Sequence, residues 1–117
     1  MAETTQLEIV TPVRIMAQQA VEMIVAPGVE GLFGVLPRHA PILADLACGV
    51  VELHQNGKIT DRYMIDGGLA DVSGERVTIL AERAIHLGSA DATQLKTQLT
   101  VASDDEAAFL NAVIAAL

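Results

Sequence analysis

The chain has 117 residues, 15 acidic against 7 basic for a net charge of −8, and is 51% hydrophobic with 3% aromatic residues. That is one domain with room for a short appendage and enough apolar residues to fill one core. With no cluster of Lys or Arg to neutralise phosphates and too few aromatics for base stacking, nucleic-acid and anionic-lipid binding are disfavoured.

In chain order, the first 86 or so residues read as short strands. Leu7 and Ile9 alternate with Gln6 and Glu8, and Pro12 interrupts because it has no amide for a ladder. Glu3, Glu8 and Arg14 break the early apolar run, which argues against a secretory leader, and no stretch reaches the roughly 18 apolar residues of a membrane span. Val21, Met23 and Val25 share one face of the next run, which Pro27-Gly28 closes as a turn. Val50 to Leu53 and Ile59 to Ile65 flank Asn56-Gly57, a hairpin signal because a type I′ turn needs positive φ at both central residues. Asp66-Gly67-Gly68 and Ser73-Gly74-Glu75 read as further turns, bracketing Leu69 to Val72 and leading into Arg76 to Glu82, where Val77 and Ile79 face together. Strands at this spacing predict a β-sandwich or barrel.

The period changes after Gly88. Ser89 is the expected N-cap of a short helix carrying Leu95 and Leu99, with Asp91 in its first turn. Ser103 and Glu106 have capping-box spacing, followed by the stripe Leu110, Val113, Ile114 and Leu117. The expected fold is therefore mainly β with an α appendage: an N-terminal β-sandwich over residues 1–87, then a short C-terminal helical hairpin over 88–117.

Enzyme chemistry finds no foothold in the pattern. His39, His54 and His86 form no ligand motif and are read as structural or solvated. Cys48 has no partner for an internal disulfide, fits a reducing cytoplasm, and is read as a small buried hydrophobe. Gly28, Gly31 and Gly34 lack the Gly-Lys-Ser/Thr of a phosphate loop, and Glu30 would repel phosphate, so they are read as bending a surface loop. Lys58, beside the Asn-Gly turn, lacks the flanking residues of a lipoyl-type carrier lysine. No catalytic residue, metal ligand or cofactor is expected, and a generic β-sandwich adaptor is the competing reading.

The stretch Pro27-Gly-Val-Glu-Gly-Leu-Phe-Gly-Val-Leu-Pro-Arg-His-Ala-Pro-Ile-Leu43, followed by Leu46-Ala-Cys-Gly49, resembles the signature of the bacterial F-type ATP synthase epsilon subunit. Asp66-Gly67-Gly68 and Val77 to Glu82 are similar to that family's Gly-Gly turn and last strand. The resemblance implies a non-catalytic rotor subunit of the central stalk, coupling proton translocation to ATP synthesis. It implies binding to the gamma subunit and the c-ring, with no direct membrane insertion and a place on the cytoplasmic face of the inner membrane. It makes Glu30, Leu32, Phe33, Arg38 and His39 candidate c-ring contacts, with Gly28, Gly31, Gly34 and Pro37 shaping their loop. Phe33 has an alternative role packing beneath the loop, His39 an alternative role holding the loop by a local hydrogen bond, and Leu32 stands where the family often carries an acidic residue.

In that family the C-terminal helices can extend toward the catalytic head and slow ATP hydrolysis through basic residues. Here Lys96 stands against Asp91, Asp104, Asp105 and Glu106, a net −3, so weak inhibition is expected. Gln94 stands where nucleotide-binding members carry Arg, so weak nucleotide binding is expected as well.

Overall fold

The computed structural model describes residues 3–117. Eight strands come first: β1 (Thr5–Val10), β2 (Ile15–Val21), β3 (Met23–Gly28), β4 (Gly31–Val35), β5 (Ile42–Gln55), β6 (Lys58–Ser73), β7 (Arg76–Ala81) and β8 (Ala84–His86). A 3-10 turn (Leu87–Ser89) then leads to helices α1 (Ala92–Leu99) and α2 (Asp104–Ala116). All strands belong to one hydrogen-bonded network in the order β2-β1-β7-β6-β5-β3-β4, with β8 also on β6.

The long β5–β6 hairpin turns this network into a sandwich. Its Asn56-Gly57 tip has φ of 55° and 73°, as the type I′ signal predicts. Along its free edge, β6 first pairs β8 through Tyr63–Ile65 and then β7 through Gly68–Ser73. One layer is thus β2-β1-β7 with the distal halves of β6 and β5; the other is β4-β3 with the tip-proximal halves of β5 and β6, plus β8. The layers also meet where Glu22 N–H donates to the His54 carbonyl (3.0 Å) and Gln55 Nε2 donates to that of Ala20 (2.7 Å).

Between the layers Leu7, Ile9, Val21, Ile24, Val35, Val51, Leu53, Ile65, Val72, Val77 and Ile79 are each at most 1% exposed. Each such side chain contributes about 1.5–3 kcal/mol on burial, so this core dominates the stability.

Several sequence expectations are corrected. Asp66-Gly67-Gly68 does not end a strand: β6 runs through it, and the glycines mark its change of partner. Gly68 has φ of 140°, and a Cβ there would lie 2.0 Å from the Leu80 carbonyl oxygen, so only glycine fits. Val21 and Met23 do not share a strand face; a bend at Glu22 resets the alternation, leaving Ile24 and Ala26 as the buried pair of β3. The segment Glu30–His39 is a turn, a strand and a second turn, since Phe33 and Val35 alternate inward against β3.

At the C-terminal end, Asp91 caps α1, accepting from the N–H groups of Thr93 (2.9 Å) and Gln94 (3.4 Å). A carboxylate two and three residues before these amides reaches them better than Ser89, whose hydroxyl is engaged by His86 instead (2.9 Å). Ser103 caps α2 as expected, accepting from Glu106 N–H (3.3 Å). Leu110 and Val113 of the stripe are buried, Ile114 is half-buried and Leu117 is exposed; Phe109 joins the buried set. Phe109, Leu110, Val113 and Ile114, with Leu95, pack on Met64 and Leu87, with Val50 and Ile85 alongside, forming a second apolar cluster outside the main core.

Candidate functional site

Sheet pairing fixes what each layer presents outward. On the layer formed by β8, β6, β5, β3 and β4, the outward residues Val50, Met64 and Ile85 lie under the helical hairpin. Among the described residues, the layer containing β1, β2 and β7 has no such cover. There Ile15 pairs with Val10, Val10 with Leu80 and Leu80 with Leu69, so a row of aliphatic side chains crosses four strands. Their inward neighbours Ile9, Ile79, Ala70 and Ala81 are buried, which by strand alternation turns this row to solvent. Ile15 is 53% and Leu80 45% exposed.

A second apolar group adjoins this face at one end of β5. Leu43, 70% exposed, alternates outward between Ile42 and Ala44, which pack on the core. It lines a shallow cleft with Val29, Leu32 and Phe33, bordered by Glu30 and Asp45. The β3–β4 turn that carries Val29 is tied to β5 by its own N–H, which donates to the Asp45 carbonyl (3.0 Å).

The glycines around this turn differ in role. Gly28 and Gly31 pair across the two-residue turn Val29-Glu30. A Cβ on Gly28 would meet the Gly31 carbonyl oxygen at 2.8 Å and the Phe33 ring at 3.0 Å, and Gly31 has φ of 130°. Gly34 sits within β4, where a Cβ would find only ordinary contacts at 3.9 Å; it is not required for the bend. Pro37 occupies the next turn, closed by the His39 N–H to the Leu36 carbonyl (3.2 Å), with Arg38 at φ of 63°.

Of the five candidate contact residues, Glu30 and Leu32 are exposed beside the cleft, Leu32 to 75%. Phe33 packs against the main core, the alternative role weighed for it. Arg38 is exposed and pairs with Glu3 (2.8 Å), and His39 Nδ1 lies 2.7 Å from the Ala40 carbonyl oxygen. These two belong to the neighbouring turn rather than to the cleft lining. Sequence reading missed Ile15, Leu43, Leu69 and Leu80. They occupy outward positions on β2, β5, β6 and β7, where strand alternation marks each as an apolar residue on a solvent-facing position.

Cys48 is exposed on β5 opposite Asp66, which corrects its reading as a buried hydrophobe. Partial burial and the Asp66 carboxylate both raise its pKa above the ordinary thiol value. His54 lies 3.2 Å from Glu52, and His86 lies 2.6 Å from Asp61. Among the described residues, no group of three or more His, Cys, Asp or Glu side chains is arranged to hold a metal. No described helix is long and apolar enough to cross a membrane. A crevice between the sandwich and the hairpin brings Arg14 and Arg83 together with Glu82 and Glu106; Arg83 is engaged by Asp66 at 2.5 Å.

Residues 4–87 match the family described as the ATP synthase delta/epsilon chain β-sandwich domain. The chain is 41% identical over 104 residues to the ATP synthase epsilon chain of Rhodospirillum rubrum, covering 89% of this chain and 78% of that one. The chain belongs to the ATP synthase epsilon-chain family. Another epsilon chain, from Gluconacetobacter diazotrophicus, is 42% identical over 108 residues, covering 91% of this chain and 77% of its own. Among solved structures, a chain of the Euglena gracilis mitochondrial ATP synthase, in a structure comprising OSCP, F1 and the c-ring, superposes with a TM-score of 0.69 at 29% identity. That match covers 96% of this chain and 74% of the Euglena chain. A chain from the Tetrahymena thermophila central stalk and c-ring shares the fold, with a TM-score of 0.61 at 14% identity over 74% of this chain and 69% of that one. Epsilon chains are accessory subunits of the ATP synthase and are not themselves catalytic.

Proposed function

We propose that this epsilon chain is a rotor subunit that binds the central-stalk gamma subunit through its bare β-layer and meets the c-ring through the β3–β4 turn. The observation that carries this reading is the aliphatic row Ile15, Val10, Leu80 and Leu69 on an uncovered sheet face, next to the Val29, Leu32 and Leu43 cleft. A face of this kind gains free energy when another protein removes it from water, and exposed apolar patches are characteristic of interaction surfaces. Torque transfer needs adhesion to both neighbours and no chemistry from the chain itself. In this reading residues 1–87 form the gripping body at the cytoplasmic face of the inner membrane, and 88–117 are a separate appendage.

The appendage is a weak brake. Its net charge of −3 disfavours acidic surfaces of a catalytic head, and its apolar side chains are already engaged by Val50, Met64 and Ile85. Nucleotide affinity is low, because the crevice that holds Arg14 and Arg83 also holds Glu82 and Glu106.

Co-purification from membranes in mild detergent tests the two contacts separately. Ile15→Asp with Leu80→Asp is expected to abolish recovery with the gamma subunit, and Leu32→Asp with Leu43→Asp to reduce recovery with the c-ring in the presence of gamma. Unchanged recovery of both partners in all variants would overturn the reading. Deleting residues 89–117 is expected to raise ATP hydrolysis by the assembled enzyme less than severalfold.

A further inference from the structure

The two apolar clusters are separate: the main core lies between the β-layers, and the smaller one lies between the hairpin and the outer face of β5, β6 and β8. A segment held by its own satellite cluster can open locally without breaking the main core. The polar contacts at the junction therefore bear on how firmly the hairpin is seated.

One side chain dominates that junction. His86 is the last residue of β8, directly before the 3-10 turn. Its Nε2 lies 2.6 Å from Asp61 Oδ1 on β6, and its Nδ1 lies 2.9 Å from Ser89 Oγ in the turn. Its ring lies 4.8 Å from that of Tyr63, its partner in the β6–β8 register. Gly88 completes the enclosure: a Cβ there would stand 3.2 Å from two ring atoms, so the imidazole would have to shift by a few tenths of an ångström to admit one. Tyr63 and Asp61 face His86 from β6, and β2, which also packs near β8, contributes no charged residue. Both ring nitrogens are thus used, one toward the sandwich and one toward the segment leading into α1.

We infer that His86 is a junction clamp, a positioning residue that joins Asp61 of the sandwich to Ser89 of the 3-10 turn and so sets how often the α1–α2 hairpin leaves its seat. Asp61 and Ser89 lie outside the main core, and of the neighbours of His86 only Tyr63 reaches it, from β6, so the clamp acts first on the hairpin. This inference concerns the chain by itself and stands apart from the identity of its partners.

Native-state hydrogen exchange on the full chain tests it. His86→Ala is expected to speed exchange of the α1 and α2 amides about tenfold, the scale of losing one charge-assisted hydrogen bond, while β1 and β7 amides keep their rates. His86→Gln, which returns a donor nitrogen near the Nε2 position, is expected to recover part of the protection. Asp61→Ala added to His86→Ala is expected to add nothing further, because both remove the same contact. If His86→Ala does not fold, Asp61→Asn carries the test, with a severalfold acceleration confined to the hairpin. Unchanged hairpin exchange in these variants, or equal acceleration throughout the sandwich, would overturn the clamp.

Discussion

The two outer faces of this sandwich are built by the same rules and meet different ends. Both alternate inward aliphatic residues with outward ones, and both carry aliphatic side chains at outward positions. On one face Val50, Met64 and Ile85 are covered by Phe109, Leu110 and Val113 of the chain's own hairpin. On the other, Ile15, Val10, Leu80 and Leu69 form a row that no other described element covers, with Ile15 and Leu80 exposed and Val10 and Leu69 half-buried. An outward aliphatic residue is therefore not informative by itself; its meaning depends on whether the chain supplies a lid. The uncovered row is what an accessory subunit with no chemistry of its own can offer.

Substitutions can be aimed at each face and at the corner between them. The largest effect is expected at the corner. Gly68→Ala forces a Cβ to within 2.0 Å of the Leu80 carbonyl oxygen at a φ of 140°, so both layers lose their junction. A loss of at least about 3 kcal/mol, read as failure to fold or a collapsed Tm, is expected from the combined strain and clash. On the covered face, Phe109→Ala is expected to cost about 3 kcal/mol of hairpin seating, seen as lost protection in α1 and α2 with the strands intact. If sandwich and hairpin instead lose protection together, the two clusters are one cooperative unit.

On the bare face, Leu80→Asp is expected to cost about 1 kcal/mol in the isolated chain, the scale of placing Asp in a strand and losing the cross-strand contacts with Val10 and Leu69, because the buried core is untouched. Its main effect is on partner binding, which makes the contrast with Phe109→Ala sharp. The smallest effect concerns Cys48. Burial and Asp66 raise its pKa, so the native thiol holds less thiolate than an unfolded one near pH 8. Alkylation by iodoacetamide is expected to run slower on the native chain at that pH and to gain more from further increases in pH. Asp66→Asn should move the native rate toward the unfolded one.

Much of this architecture was legible in the residues. The Asn56-Gly57 tip, the buried pairs Leu7/Ile9 and Val77/Ile79, and the Ser103 cap follow from local rules that tertiary structure did not override. What sequence missed needed three-dimensional context. Gly67-Gly68 looks like a turn in one dimension, but acts as a hinge in a long strand whose edge changes partner. Glu22 bends the chain between layers, so Met23 falls out of phase with Val21. Asp91 and Ser89 are both good caps, and the engagement of Ser89 by His86 leaves Asp91 to the helix. For the site, the Val29–Leu32 end was marked by its glycines, whereas Leu43, Leu69 and Leu80 become a surface only once strand register sets them side by side.

Hydroxyl-radical footprinting of the chain, free and in the assembled synthase, tests the contrast between the faces most directly. The account predicts strong protection on assembly at Ile15, Leu69 and Leu80 on the bare sheet and at Leu32 and Leu43 beside the turn. Val50, Met64 and Ile85 should change little, since the hairpin already shields them. Unaltered labelling of the bare row on assembly, with new protection confined to the helical hairpin, would contradict it.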